Sequence, residues 1–516
     1  MPAPSPASDR RGRPPLRSLA FDLALGATAA LGQAPWNLWF LTVVVLGLLV
    51  WRVGGADGRR QAGWHALAAG FGHFAIAMSW IVEPFLVEPE IYGWMAPFAL
   101  FLMAIGGGLF WAVPAWLAAG GIAPGHHRQA AAFAGFMVLS DWLRGWIFTG
   151  LPWALTGHVW ISTPAGQTAA TFGAIGLSAL TMLCAAMPTL LWQARLSKLR
   201  GALPGAAISI LLIGTAWSAG LARLAQPLPP DTGLHLRLVQ PDARQALKWD
   251  PYWSEVFFRR LIELSAARDA DRTSPDAIIW PETAVNFLLE QAGTAPEDIA
   301  AYVGGPVILG IQRVVGERYY NSLTEFSERG IGPVYDKFHL VPFGEYTPWG
   351  DVMSHFGVRA FAAQHGFGYS SGPGPASLRF GKLPSVQPLI CYEAVFSRHL
   401  ISGAERPQWL LQVTNDAWFG KLSGPWQHLA QARLRAIESG LPLMRAANTG
   451  ISAVIDPRGN LRATLGLDLA GRIDSPLPGA LPPTPWSQWG DWPAVLAALA
   501  TVLLASFRRR LTVVRA

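Results

Sequence analysis

The chain has 516 residues, of which 51% are hydrophobic and only 14% charged, with 24 tryptophans among them. So apolar a composition over such a length excludes a soluble protein and implies an integral membrane protein of two or more domains. The net charge of +7 does not point to nucleic acid, because Lys and Arg stand mostly in short clusters beside apolar spans, a pattern that sets membrane orientation.

About 20 apolar helical residues cross a bilayer core. Segments of that kind fall near 18–33, 37–53, 63–82, 92–120, 129–148, 168–194, 203–224 and 490–507. The expectation is an α-helical membrane bundle of about eight transmembrane helices, all but the last preceding a globular segment. Arg10, Arg11, Arg13, Arg17, then Arg52, Arg59, Arg60, then Arg128, then Arg195, Lys198, Arg200, and finally Arg508, Arg509 and Arg510 all fall on one side of those spans. Apart from Arg144, the alternate connections lack Lys and Arg, and one holds Glu83, Glu88 and Glu90. The positive-inside rule therefore expects cytoplasmic termini and a multi-pass membrane protein whose globular part lies outside, in the periplasm if the membrane is the inner membrane of a Gram-negative bacterium. The expected divisions are a basic cytoplasmic N-terminus over 1–17, membrane helices over 18–224, the globular domain over 225–488, a last membrane helix over 489–508 and a cytoplasmic tail over 509–516.

Within the apolar region four features are read as structural. Cys184 lies in an apolar helix and is read as packing. The run Gly106–Gly108 permits close helix approach. His126 and His127 are adjacent, so they share no helix face, and are read as a surface pair in a short loop rather than metal ligands. Asp141 and Arg144 stand at i and i+3 and are expected to pair.

From 234 onward short β-like runs alternate with helical periodicity: LHLRLVQ, AIIW, VILGI, NSLTEF, PVYDKF, LICYE, WLLQV, MRAAN and SAVID. Helices are expected over 251–268 and 428–439, the second closed by Gly440, and DPRGN at 456–460 is a hairpin turn signal. Mixed strands with interleaved helices imply an α/β layered sandwich. No zinc spacing, phosphate-binding glycine loop or dinucleotide fingerprint is present, so neither metal nor cofactor is expected.

Three apolar runs in this part end on reactive groups: Glu282 in AIIWPETA, Lys337 in VYDKFHLVPFGEY and Cys391 in QPLICYEA. A thiol attacks only as its thiolate, and cysteine is mostly protonated near neutrality, so a carboxylate such as Glu282 is needed as base. The tetrahedral oxyanion of acyl transfer needs fixed donors, for which Lys337 and the backbone amide of Tyr392 are the candidates. Cys391 lies where a strand passes into YEAVFSRHL, a strand-to-helix turn that would present its sulfur as a nucleophile elbow does. A lone cysteine is usually packing; three such patches together are not.

WPET, DKxHLVPFGEY, LICYE and TNDAWFG resemble the nitrilase superfamily, and their combination with membrane spans resembles its apolipoprotein N-acyltransferase family over nearly the whole chain. The resemblance implies an αββα nitrilase-like domain and a final step of lipoprotein maturation. In that step the sn-1 acyl chain of a phospholipid, typically phosphatidylethanolamine, passes through a cysteine thioester to the N-terminal amine of a diacylglyceryl-cysteine lipoprotein. By motif it implies Glu282 as general base, Lys337 as oxyanion stabiliser, Cys391 as nucleophile, Glu345 and Glu393 as further essential carboxylates, and Trp249 as a substrate contact. A carboxylate at Glu345 would keep Lys337 charged and in place. Phe343, Trp418 and Phe419 are candidates to face an acyl chain, with core packing the competing reading. The stretch 350–371 suits a lid that dips into the bilayer, with a plain surface loop as its alternative. Phe338 departs from the polar residue that commonly follows the lysine, which bears on local packing. The expected partners are the phospholipid donor, a diacylated apolipoprotein acceptor and membrane lipids, with the chain a monomer.

The motifs alone do not separate an amine acceptor from water. A membrane-tethered amidase is one rival reading, and a transporter or scaffold with a dead nitrilase-like module is another. A small soluble substrate gives no reason for a membrane bundle, and the spans hold few of the ionisable groups that mark an ion pathway.

Overall fold

The computed structural model describes residues 12–122, 125–192, 198–268, 274–348 and 368–507. These divide into two compact units, one formed by the chain up to Val82 together with 95–225 and the region from Trp489, the other by Glu83–Trp94 and Gln226–Gln488.

The first unit is helical. Its longer helices are Leu16–Ala30, Trp39–Gly54, Arg59–Ala77, Ala96–Leu117, His126–Arg144, Ala169–Leu190, Lys198–Ala225 and Trp492–Ser506. Among the described residues three helical stretches are by themselves long and apolar enough to cross a membrane: Pro89–Gly120, Pro164–Leu190 and Arg200–Ala225. A fourth candidate is a pair bent by 47°, Arg59–Ala77 with Ser79–Leu86, and Trp39–Gly54 and Trp492–Ser506 are shorter apolar helices. Small residues let these helices touch: a Cβ on Gly107 would lie 2.3 Å from the Phe74 ring, and one on Gly108 3.0 Å from the Phe71 amide. Asp141 and Arg144 do pair, at 3.1 Å and buried, and Asp141 also accepts from the Thr156 amide and the Ser178 hydroxyl. Cys184 is buried, its thiol facing the Ser209 carbonyl. The histidine pair stands at the start of a helix rather than in a loop, with His127 exposed as expected. His126 opens the helix His126–Arg144 with its ring edge-on to Trp51, and His127 Nδ1 bonds the Thr189 carbonyl at 2.7 Å.

Among the described residues the second unit carries twelve strands in two sheets. β1 (His235–Gln240), β2 (Ala277–Ile279), β3 (Val307–Val315), β4 (Arg318–Ser327), β5 (Gly330–Ile331) and β6 (Tyr335–Asp336) are followed by β7 (Val386–Ile390), β8 (Trp409–Thr414), β9 (Leu443–Ala447), β10 (Ser452–Ile455), β11 (Leu461–Leu465) and β12 (Gly471–Pro476). The first sheet runs β12-β1-β2-β3-β4-β5, with β6 also on β4; the second runs β11-β10-β9-β8-β7. β1, β2 and β3 are parallel, as are β7, β8 and β9, and these strands are apolar and buried because both sheet faces are covered. The helix Pro251–Ala266 packs Leu261 with Val239, Ile278 and Trp280 of the first sheet. The helix Gly424–Ser439 packs Leu429, Ala432 and Ala436 with Leu410, Leu443 and Ala453 of the second. A polar clasp joins the sheets, where Gln240 Oε1 accepts from the Ser452 amide and hydroxyl. These layers make an αββα sandwich.

Several boundaries depart from the sequence reading. The strand in LICYE stops at Ile390 and gives way to a pair of 3-10 turns, Cys391–Val395 and Ser397–His399, rather than to a helix. Only Tyr335–Asp336 of PVYDKF is strand. Gly440, at φ 68°, does close the helix Gly424–Ser439, and 456–460 does turn β10 into β11, with Asp456 Oδ1 accepting from the amides of Arg458 and Asn460.

Candidate active site

Glu282, Lys337 and Cys391 each sit just beyond the end of a strand, and the fold brings them together. They are 7%, 1% and 5% exposed. The sulfur is therefore not presented at the surface as the elbow expectation had it, but enclosed.

Glu282 follows β2 in a turn pressed against β3. Gly310 makes this approach possible: its amide bonds the Pro281 carbonyl at 3.1 Å, its carbonyl accepts from the Ala284 amide at 2.8 Å, and a Cβ there would lie 2.6 Å from the Glu282 Cα. Thr283 has φ 43°, a left-handed conformation costly for a β-branched residue. The buried Lys248 ammonium holds that turn, donating to the Glu282 carbonyl at 3.2 Å and the Thr283 hydroxyl at 2.7 Å. Burial lowers the Lys248 pKa to about 8 against the pull of Glu282. The Glu282 carboxylate accepts from Asn321 Nδ2 at 2.7 Å on one oxygen and from the Asn415 amide at 2.8 Å on the other. Burial nevertheless raises its proton affinity, opposed chiefly by Lys337.

Lys337 follows β6, its backbone amide bonded to the Asn321 carbonyl at 2.8 Å. Its ammonium lies 2.8 Å from Glu345 and 3.8 Å from Glu282 Oε1. Burial disfavours the charge, but Glu345 and Glu282 together outweigh it, so the pKa is raised and the lysine is cationic. Glu345 is fixed in turn by the Val341 amide at 2.9 Å and Asn321 Nδ2 at 3.2 Å.

Cys391 has φ 51°, the second strained residue of the site, and Phe343, in the loop before Glu345, is a third at 62°. Burial first, and Glu282 next, push the thiol pKa up, so the resting sulfur is protonated. Glu393 ties the Lys337 and Cys391 turns to each other. Its carboxylate accepts from the amides of Ile390 at 2.8 Å, Phe338 at 2.9 Å and His339 at 3.2 Å, and from the Tyr335 hydroxyl at 3.0 Å. Burial raises its pKa to about 7 against those backbone donors. Tyr392 is buried with its ring edge-on to Phe396, and Phe338 packs edge-on to His399.

The expected substrate aromatics divide. Trp249 and Phe343 are 37% and 42% exposed. Trp418 is half-buried, and Phe419 is buried edge-on to His428, in the packing that competed with a substrate role. Of the stretch 350–371, residues 350–367 lie outside the described residues. Sequence reading missed Asn321, which bridges the two carboxylates Glu282 and Glu345, and Lys248, whose only sequence signal is its place next to Trp249. It also missed Gln412, Asp416, His428 and Arg445, a buried polar group behind Cys391. Polar residues inside the apolar runs WLLQV and LPLMRAA were the available sign.

Both halves of the chain are similar to known proteins. Residues 25–187 match the apolipoprotein N-acyltransferase N-terminal domain, and residues 258–471 match the carbon-nitrogen hydrolase family. Apolipoprotein N-acyltransferase of Bradyrhizobium diazoefficiens is 36% identical over 94% of this chain and 94% of its own length. That of Brucella melitensis biotype 1 is 36% identical over 95% of each, and that of Caulobacter vibrioides 37% identical over 94% of this chain and 93% of its own. With the two halves matched in order and these relatives aligned nearly end to end, the chain belongs to the apolipoprotein N-acyltransferase family, as an acyltransferase built on a carbon-nitrogen hydrolase domain.

Proposed function

We propose that Cys391 attacks the sn-1 ester carbonyl of a phospholipid, with phosphatidylethanolamine the donor, and that the acyl group then passes to the α-amine of a diacylglyceryl-cysteine at a lipoprotein N-terminus. Glu282 takes the thiol proton as the C–S bond forms. The oxyanion is met by Lys337 and the Tyr392 amide. Collapse expels the lysophospholipid oxygen, which receives the proton from Glu282 and leaves a thioester. The neutral amine then attacks the thioester carbonyl, Glu282 accepts its proton, and collapse expels the Cys391 thiolate, which is reprotonated. Glu345 and Glu393 hold the lysine and the two turns, and Trp249, Phe343 and Trp418 are assigned to the lipid side of the site. The observation that carries this reading is the buried grouping of one ammonium with two carboxylates beside a buried thiol, the ammonium 2.8 Å and 3.8 Å from Glu345 and Glu282.

The setting we propose is a bacterial inner membrane crossed by about eight helices, with residues 225–488 on the periplasmic side and the chain acting as a monomer. The lysine and arginine asymmetry and the apolar helices support it. Reconstitution with labelled phospholipid and a diacylated lipopeptide tests the function: label should move to the lipopeptide amine. Release of label as free fatty acid would make the protein a hydrolase, and no movement at all would remove the catalytic reading.

A further inference from the structure

Behind Cys391 lies a line of residues that an apolar parallel sheet has no evident reason to hold. β7, β8 and β9 pair so that Leu389, Gln412 and Arg445 stand in register across three strands. Gln412 and Arg445 are both fully buried. Taking an amide and a guanidinium out of water is costly unless their hydrogen bonds are made. Here they are made in one orientation. Arg445 donates from Nε to the Ile451 carbonyl at 3.0 Å, from Nη1 to Gln412 Oε1 at 2.5 Å and from Nη2 to Asp416 Oδ2 at 2.5 Å.

Because the guanidinium takes the Gln412 oxygen, the nitrogen end of that amide must face the other way. Nε2 donates to the Cys391 carbonyl at 3.2 Å and to His428 Nε2 at 3.0 Å. His428 Nδ1 lies 2.9 Å from Asp416 Oδ1 and 3.3 Å from Arg445 Nη2, and its Nε2 lies 3.1 Å from the same Cys391 carbonyl, so the imidazole backs that carbonyl beside Gln412. Burial and then Arg445 lower the His428 pKa, which favours the uncharged ring.

The consequence runs through one peptide plane. In a trans peptide the carbonyl of Cys391 and the N–H of Tyr392 point in opposite directions. Pinning the carbonyl from behind therefore aims the Tyr392 N–H into the site. We propose that Gln412, oriented by Arg445, is a positioning residue that fixes the 391–392 peptide plane and so aims the Tyr392 amide at the oxyanion. This rests on Cys391 being the nucleophile.

Gln412→Met, of matching length but without a donor, tests it. Thioester formation in a single turnover and transfer of the acyl group to a lipopeptide should both slow by at least about tenfold, since each passes through an oxyanion and a lost donor costs roughly 10²–10³. The KM for phospholipid should stay within twofold. Gln412→Glu keeps an acceptor for Arg445 and turns the donor at the Cys391 carbonyl into an acceptor, so it should slow both steps at least as much. Rates within twofold of the unaltered protein in either folded variant would overturn the proposal. If neither variant folds, Gln412 serves folding alone and the proposal falls. The unaltered protein separates this from the underlying reading: absence of an acyl adduct on its own Cys391 would remove the nucleophile assignment itself.

Discussion

At the scale of single residues, the proposed chemistry rests on three buried groups whose proton affinities are all raised, each for a stated reason. Glu282 is raised by burial yet keeps donors on both oxygens, so it is a carboxylate with more proton affinity than an exposed one. Glu282→Gln should preserve the fold and slow thioester formation by at least about 10²-fold, as loss of a general base does. Lys337→Met should impair acylation and deacylation alike, because both oxyanions lose a donor worth roughly 3 kcal/mol. Single-turnover kinetics of each half-reaction check both, and near-normal rates in either variant would contradict the role assigned. Asp416 gives a prediction about stability. Burial raises its pKa, but Arg445 and His428 outweigh that and hold it down at about 2, below the ordinary 3.8. A depressed carboxylate stabilises the folded state above the unfolded pKa and loses that contribution as pH falls toward the folded one, a total on the order of 2 kcal/mol. Asp416→Asn should therefore melt lower than the unaltered protein at pH 6, and the gap should narrow as pH is lowered from about 4 toward about 2. The reactive groups were legible in the sequence because each closes an apolar run. Asn321, Lys248 and Gln412 were not, because an isolated polar residue in a run of apolar ones does not say which buried group it will meet.

At the scale of elements, the site is made by turns that no ideal strand end would form. The Glu282 turn needs Gly310 on the neighbouring strand, where a Cβ would meet the Glu282 Cα at 2.6 Å and the Pro281 carbonyl at 2.7 Å. Gly310→Ala should cost about 1–3 kcal/mol through overpacking and should also slow thioester formation, since the atoms that must shift carry the base. A lowered melting temperature with an unchanged acylation rate would show that the turn tolerates displacement. Most strands could be read from the sequence because β-branched and large apolar residues cluster in them, as in AIIW and SAVID. β11 and β12 escaped that reading: LRATL and GRIDSP are half-exposed and carry arginines on the outer strands. The helix Ala295–Val303 escaped it too, although Pro296 inside its start and Gly304 after its end, at φ 81°, are ordinary boundary signals. The elbow at Cys391 was anticipated as a strand-to-helix turn, but the strained φ and a 3-10 turn achieve the reversal instead.

At the scale of the whole molecule, charge placement along the chain bears on which side of the membrane the buried Glu282, Lys337 and Cys391 would face. Cysteines introduced at Asp57 and Arg200 should react with a membrane-impermeant maleimide only after permeabilisation, and one at the exposed Tyr302 in spheroplasts without it. Protection of the Tyr302 site until lysis would overturn the topology. The two native cysteines are buried and should contribute little background. What the proposed mechanism requires above all is a thioester on Cys391 that waits for an amine. Rapid-quench kinetics with phospholipid alone test it most directly. Lysophospholipid should appear in a single burst equal to the enzyme concentration, the protein should gain one acyl mass that hydroxylamine removes and Cys391→Ala prevents, and further release should begin only when a diacylated lipopeptide is added. Continuous release of fatty acid at a comparable rate without any acceptor, or an adduct that survives in Cys391→Ala, would contradict it.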